Sequence, residues 1–269
     1  INELIRRGFH GKIYLSKPTF DCMGINDITP TFLAFKEKRK LSNWLNVTSF
    51  RSGHCFGSYG YFIIMEGKRI LYTGDYLENS VFSCDKIRDL YADLAIVDGA
   101  YSKNERSLET NRNDFLKLLA SLKKNIILPL PKNGRNMEII SLLNQANIPY
   151  LVKDSSFFVE EENDYLKKNI PVNPTSNAKI FLIVDPQLER KESREIVNAY
   201  PDFNLIFTGT IDEGSYSSYL MKTRNNVYFQ RINVHQTILE ANALIENNRF
   251  ANSLIFHNKE TNEATSLSF

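Results

Sequence analysis

A chain of 269 residues with 42% apolar, 12% aromatic and 24% charged residues has an ordinary globular composition, which excludes a disordered or fibrous protein. Thirty-three Lys and Arg against 31 acidic residues leave a formal charge of +2, so no global positive field draws in nucleic acid and any such partner must be held locally. Three cysteines, Cys22, Cys55 and Cys84, lack C-x-x-C spacing, which argues against a disulfide framework or a thiolate zinc knot and makes a reducing cytoplasm the default compartment.

The start, INELIRRGF, has no signal-peptide layout, and no apolar run approaches the ~18 residues of a membrane helix, so no membrane partner is expected. Between 44 and 75 the runs WLNVTSF, YGYFIIMEGKR and RILYTGD alternate in the manner of antiparallel strands, with Glu66-Gly67 as a hairpin turn. From there the pattern changes. LAIV at 94–97, NIILPL at 125–130, KIFLIV at 179–184, NLIF at 204–207, VYFQRI at 227–232 and SLIF at 253–256 read as buried strands. Amphipathic stretches at 113–123, 136–145, 188–199 and 237–247 read as the helices between them. The polar run at 153–173 reads as a solvated helix and loop. The chain is therefore expected to be α/β with parallel sheet content.

Three of the four histidines stand where a strand hands over to a loop, the place where sites collect in open α/β folds. His54 lies in the glycine-rich SGHCFGSYG. Asp75 ends ILYTGD, Asp98 follows LAIV and His257 follows SLIF. Alone, a strand-end Asp caps a turn and a lone His fills a hydrogen-bonded niche, but their recurrence at successive strand ends suits zinc. That metal takes imidazole nitrogen and carboxylate oxygen, and it lowers the pKa of a bound water toward ~7.

These stretches resemble the metallo-β-lactamase superfamily and, within it, the β-CASP nucleases of the ribonuclease J and mRNA 3′-end processing type. The resemblance rests on GFHGKIYLSKPT, SGHCFGSYGYFIIMEGKRILYTGDY, LAIVDGAYS, NIILPLPKNGRNMEIISLL, FTGTIDEGSY, INVHQT and IFHNKE, and on their order along the chain. It implies a metallo-β-lactamase αββα sandwich made from 1–103 and 221–269, with an inserted α/β cap domain at 104–220. It also implies a ribonuclease with two Zn2+ ions per complete site. His54 would bind one metal, Asp75 would bridge both and His257 would bind the second, while Asp98 and His235 would form the pair that protonates the leaving oxygen. Histidine at 257 resembles the RNA-directed branch.

Single-stranded RNA is the implied partner, with Ser102 and Arg135 as substrate contacts. The Arg135 guanidinium offers paired donors to a phosphate, though a surface ion pair is an equal reading. Tyr59, Tyr76 and Tyr101 are candidates for base stacking. A homodimer, or a heterodimer with a related subunit, would also fit the resemblance.

The chain departs from the family pattern. Its central signature, H-x-H-x-D-H, is absent, and INELIRRGF resembles the segment just downstream of it, without an initiator Met. The expectation is a fragment. The competing expectation is a degenerate, metal-free homologue that serves as an RNA-binding or scaffold subunit. Gln236-Thr237 and Asn258-Lys259 also replace the usual residues after the second and third β-CASP histidines. A hydrolase of small esters is the third reading.

Overall fold

The computed structural model describes residues 2–23, 28–82, 84–101, 106–152 and 178–257. Ser102, the polar run at 153–173 and the 103/104 boundary lie outside the described residues. Two larger sheets and two two-stranded ones make a mixed α/β protein. Near the N-terminus, β1 (Tyr14–Leu15) and β2 (Thr31–Phe32) pair in parallel.

Next come β3 (Lys38–Lys40), β4 (Leu45–Arg51), β5 (Tyr59–Met65) and β6 (Lys68–Tyr72), each antiparallel to its neighbour. The expected hairpin joins β5 to β6, with Glu66 at φ +51° and Gly67 at φ +81°. Two successive positive φ values give the turn the twist that paired strands require. After the short β7 (Tyr91–Ala92), β8 (Leu94–Asp98) pairs in parallel with β6.

The chain then leaves this sheet and builds a second, all-parallel one. Its strands are β9 (Ile126–Leu130), β10 (Tyr150–Val152), β11 (Ile180–Val184), β12 (Asn204–Phe207) and β13 (Val227–Phe229), in the order β10-β11-β9-β12-β13. Every residue of β9 and β12 is buried, as expected for a sheet covered on both faces. Helices Leu108–Ser121 and Arg135–Gln145 supply side chains to one apolar layer, including Phe115, Met137 and Ile140. Helices Lys191–Ala199 and Tyr216–Thr223 supply Val197 and Leu220 to the other. Pro129 is tolerated in the central strand because β12 pairs only with Ile126 and Ile127, so the missing N–H lies beyond that register.

The return is local. After helix Ile238–Glu246 and β14 (Arg249–Phe250), which pairs with β7, β15 (Ser253–Phe256) lies beside β8 and completes the order β15-β8-β6-β5-β4-β3. The parallel unit is thus an insertion between two neighbouring strands of one sheet. Because β13 pairs with β12, residues 227–229 lie with the parallel sheet, beyond the expected boundary at 220.

Several expected ends move. The helix expected at 113–123 starts at Leu108, because the Ser107 hydroxyl accepts the Thr110 N–H and caps it. The strand expected through 232 stops at Phe229, where the backbone follows the end of β12 irregularly through Gln230 N–H to Phe207 O and Ile232 N–H to Thr208 O. The expected helix at 188–199 begins only at Lys191, since Asp185 accepts the backbone N–H groups of Glu189 and Arg190 and holds the preceding turn. Among the described residues, no helix is long and apolar enough to cross a membrane.

Candidate metal centre

The ends of β6, β8 and β15 lie side by side, which sets the loops that follow them around one point. Asp75 follows β6 after Thr73 and Gly74. Gly74 has φ +59°, and a Cβ there would lie 2.9 Å from the Tyr59 carbonyl, so only glycine lets the chain turn Asp75 toward β8. The Thr73 hydroxyl accepts the Asp98 N–H at 3.0 Å and ties the two strand ends together.

Asp98 is fully buried, yet its two carboxylate oxygens have different surroundings. Oδ2 accepts the Tyr76 N–H at 2.9 Å and faces His235 Nδ1 at 2.9 Å. Oδ1 has no hydrogen-bond partner. Gln236 pins the same turn, its side-chain amide donating to Asp98 O at 2.6 Å and its backbone N–H to Tyr76 O at 2.9 Å.

His54 arrives from the other side of the sheet. Its loop follows β4, where Gly53, at φ +78°, bridges to Tyr76. His54 Nδ1 lies 2.8 Å from the Val234 carbonyl, an acceptor only, so the proton sits on Nδ1 and Nε2 keeps its lone pair. That Nε2 faces Asp75 Oδ2 at 3.6 Å. Burial, reinforced by the neighbouring His235, holds the His54 pKa below the ordinary imidazole range, which favours the neutral, ligating form.

His257 closes the group from the end of β15, its Nδ1 3.4 Å from Asp98 Oδ1 and 3.7 Å from Asp75 Oδ1. It has φ +66°, a left-handed conformation that a side chain rarely adopts and that tertiary context must hold.

Asp75, Asp98, His235 and His257 each offer a ligand atom, all within 4.8 Å of one another, so the group could hold a metal ion. A tetrahedral ion with ligands at ~2.0–2.2 Å spaces them about 3.3–3.6 Å apart. The His257–Asp98, His257–Asp75 and His54–Asp75 separations of 3.4, 3.7 and 3.6 Å lie near those values, whereas the 2.9 Å His235–Asp98 contact is a hydrogen bond. The buried Asp98 Oδ1, which accepts no hydrogen bond and faces His257 Nδ1 at 3.4 Å, is the strongest sign that the residues suit a cation, because a buried carboxylate oxygen without a hydrogen bond is costly.

All five of the metal and acid–base residues singled out in the sequence therefore meet in one place. Arg135 lies close by. Gly134 backs onto the His54 loop, since a Cβ at Gly134 would lie 3.2 Å from His54 O, and Arg135 Nε donates to Ile232 O at 3.0 Å. Its guanidinium rests on Gly209, and among the described residues it makes no ion pair. Tyr76 is excluded from base stacking, being 0% exposed with its hydroxyl donating to Asp85 O at 3.0 Å. Tyr101 is also buried and packs edge-on to His235, with ring centroids 5.5 Å apart.

Sequence reading missed the Val234 carbonyl and the Thr73 hydroxyl, and marked Gln236 only as a departure from the family pattern; the roles of all three depend on proximity through space. It also missed Glu138. That residue had a signal, because a carboxylate in the apolar run MEIISLL must find a partner once buried. No protein-family model and no curated protein matches the chain.

Proposed function

We propose that the protein is a metal-dependent phosphodiester hydrolase acting on single-stranded RNA, built as a metallo-β-lactamase sandwich with an inserted β-CASP cap. The observation that carries this reading is the buried Asp98 between His235 and His257, with one carboxylate oxygen hydrogen-bonded and the other facing His257 without a hydrogen bond. The insertion of a parallel α/β unit between neighbouring strands β8 and β15 supports the cap assignment.

In this reading His54, Asp75 and His257 would hold zinc, which would supply Lewis acidity and activate water near neutral pH. Asp98 Oδ2 orients the His235 ring through Nδ1. His235 then delivers the proton to the leaving oxygen, as a general acid positioned by a carboxylate. The Val234 carbonyl fixes the tautomer of His54, and Arg135 offers its Nη donors to a substrate phosphate.

The test is zinc per chain in purified protein, followed by hydrolysis of single-stranded RNA, with Asp75→Ala as control. Bound zinc and RNA cleavage, both lost in Asp75→Ala and both removed by a chelator, are the expected results. A mutant that cleaves as fast as wild type would refute the metal mechanism. A folded protein with no zinc would instead favour the scaffold reading, which the absence of H-x-H-x-D-H from these residues already recommends as the rival.

A further inference from the structure

The parallel sheet delivers a second feature to the same centre. Phe229 ends β13, six residues before His235, and remains 42% exposed. Between them, Arg231 lies with its guanidinium carbon 5.4 Å from the Phe229 ring centre and 4.7 Å from that of Tyr101. Tyr101 in turn meets His235 edge-on. The four side chains form a ladder from an exposed aromatic ring, through a cation and a buried aromatic ring, to the imidazole beside Asp98.

Two properties make this ladder more than filler. Among the described residues no carboxylate pairs with Arg231, so its charge is balanced only by ring faces, and its donors are uncommitted to any anion. The backbone on either side is also tied to the end of β12. Gln230 N–H donates to Phe207 O and Ile232 N–H to Thr208 O, and the buried Asn233 side chain accepts from Asn111 at 2.8 Å and donates to Arg106 O at 3.2 Å. A flexible side chain pre-oriented by stacking loses less entropy on pairing with an anion than a free surface arginine does.

We propose that Arg231 and Phe229 form the subsite for the nucleotide adjoining the scissile phosphate. The guanidinium pairs with that nucleotide's phosphate, and the exposed Phe229 ring stacks its base. The ligand class is a single-stranded oligonucleotide, bound without base specificity because every base has a ring face to stack. This inference rests on the RNA-hydrolase reading but is separable from it, since binding can be measured with the metal chelated.

The experiment is fluorescence anisotropy of a labelled oligouridylate of about ten nucleotides in excess chelator, within the site sizes common for single strands. Wild type is expected to bind. Arg231→Gln should bind roughly 10-fold more weakly, as loss of a charge-assisted pair implies. Its affinity should also depend less steeply on salt, by about 0.7 in the logarithmic slope for one lost phosphate contact. Phe229→Ala should weaken binding about 5-fold or more with the salt slope unchanged, the signature of lost stacking.

Arg231→Lys should keep the salt slope and lose part of the affinity. If Arg231→Gln unfolds, Phe229→Ala, which alters an exposed ring, and Arg231→Lys carry the test. Wild-type affinity and slope in all three variants would overturn this subsite while leaving the hydrolase reading intact. Failure of wild type itself to bind single-stranded RNA under these conditions would likewise overturn the subsite, whereas the hydrolase reading stands or falls on RNA cleavage with the metal present.

Discussion

Arg112 and Glu138, paired within the inserted unit, together hold the loop that follows Asp75, through Asn79 O and the Val81 N–H, and the two should respond unequally to mutation. Glu138 lies on the helix Arg135–Gln145, and its side chain is 1% exposed. It accepts from Arg112 at 2.6 Å and from the Val81 N–H at 2.6 Å, and Val81 lies on the loop that follows Asp75. Burial pushes the Glu138 pKa above the ordinary carboxylate range, outweighing the opposing pull of Arg112.

Remove Arg112 as Arg112→Met, and a buried carboxylate is left with one backbone donor, which should cost about 3–5 kcal/mol at neutral pH. Change Glu138→Gln instead, and the acceptor for Val81 survives. Arg112 still donates to Asn79 O at 3.0 Å and lies 3.7 Å from the exposed Glu109. That substitution should cost only about 1–3 kcal/mol.

The pH dependence follows in sign. A carboxyl whose native pKa is raised contributes stability that is fully present below its unfolded value and is lost as pH rises through the native one. In Arg112→Met the native pKa rises further, so the deficit against wild type should shrink as the pH falls toward about 5. Urea denaturation of both variants and the double mutant, at neutral and mildly acid pH, reads all of this. A Glu138→Gln cost larger than that of Arg112→Met, or an Arg112→Met deficit that does not change with pH, would refute the reasoning.

Three further outcomes are expected. Burial pushes the Cys84 thiol up to about 12, so at pH 8 the native protein should leave Cys84 unalkylated by iodoacetamide, while the urea-unfolded chain reacts, as read by mass spectrometry. Thr237→Ala removes one half of the capping box that starts the helix behind His235, and should lower stability by about 0.5–2 kcal/mol in denaturant titration. Gly53→Ala places a Cβ 2.3 Å from the Leu77 carbonyl at φ +78°, so it should destabilise by at least ~1–3 kcal/mol and reduce zinc binding at the adjacent His54, measured as metal per chain.

The sequence alone was enough to mark His54, Asp75, Asp98, His235 and His257, because strand ends are visible as breaks in local apolar runs and ligating side chains are few. The Glu66-Gly67 hairpin, the buried strands and most helix positions were legible for the same reason: each depends on periodicity or turn chemistry within about ten residues. What the chain could not display was anything set by approach through space. The pairing of β15 with β8 brings His257 to Asp98 across 159 positions, and the two halves of the Asp98 carboxylate differ only because Tyr76 and His235 reach one oxygen. Tyr76 looked available and is buried, while Arg135 turned from a surface position to the backbone of Ile232. Arg231 carried no signal at all, since its uncommitted charge is defined by the rings of Phe229 and Tyr101, which only tertiary packing brings to it. Local patterns encode which groups occur at strand ends; the folded sheet order decides which of their atoms face one another and which are left without a partner.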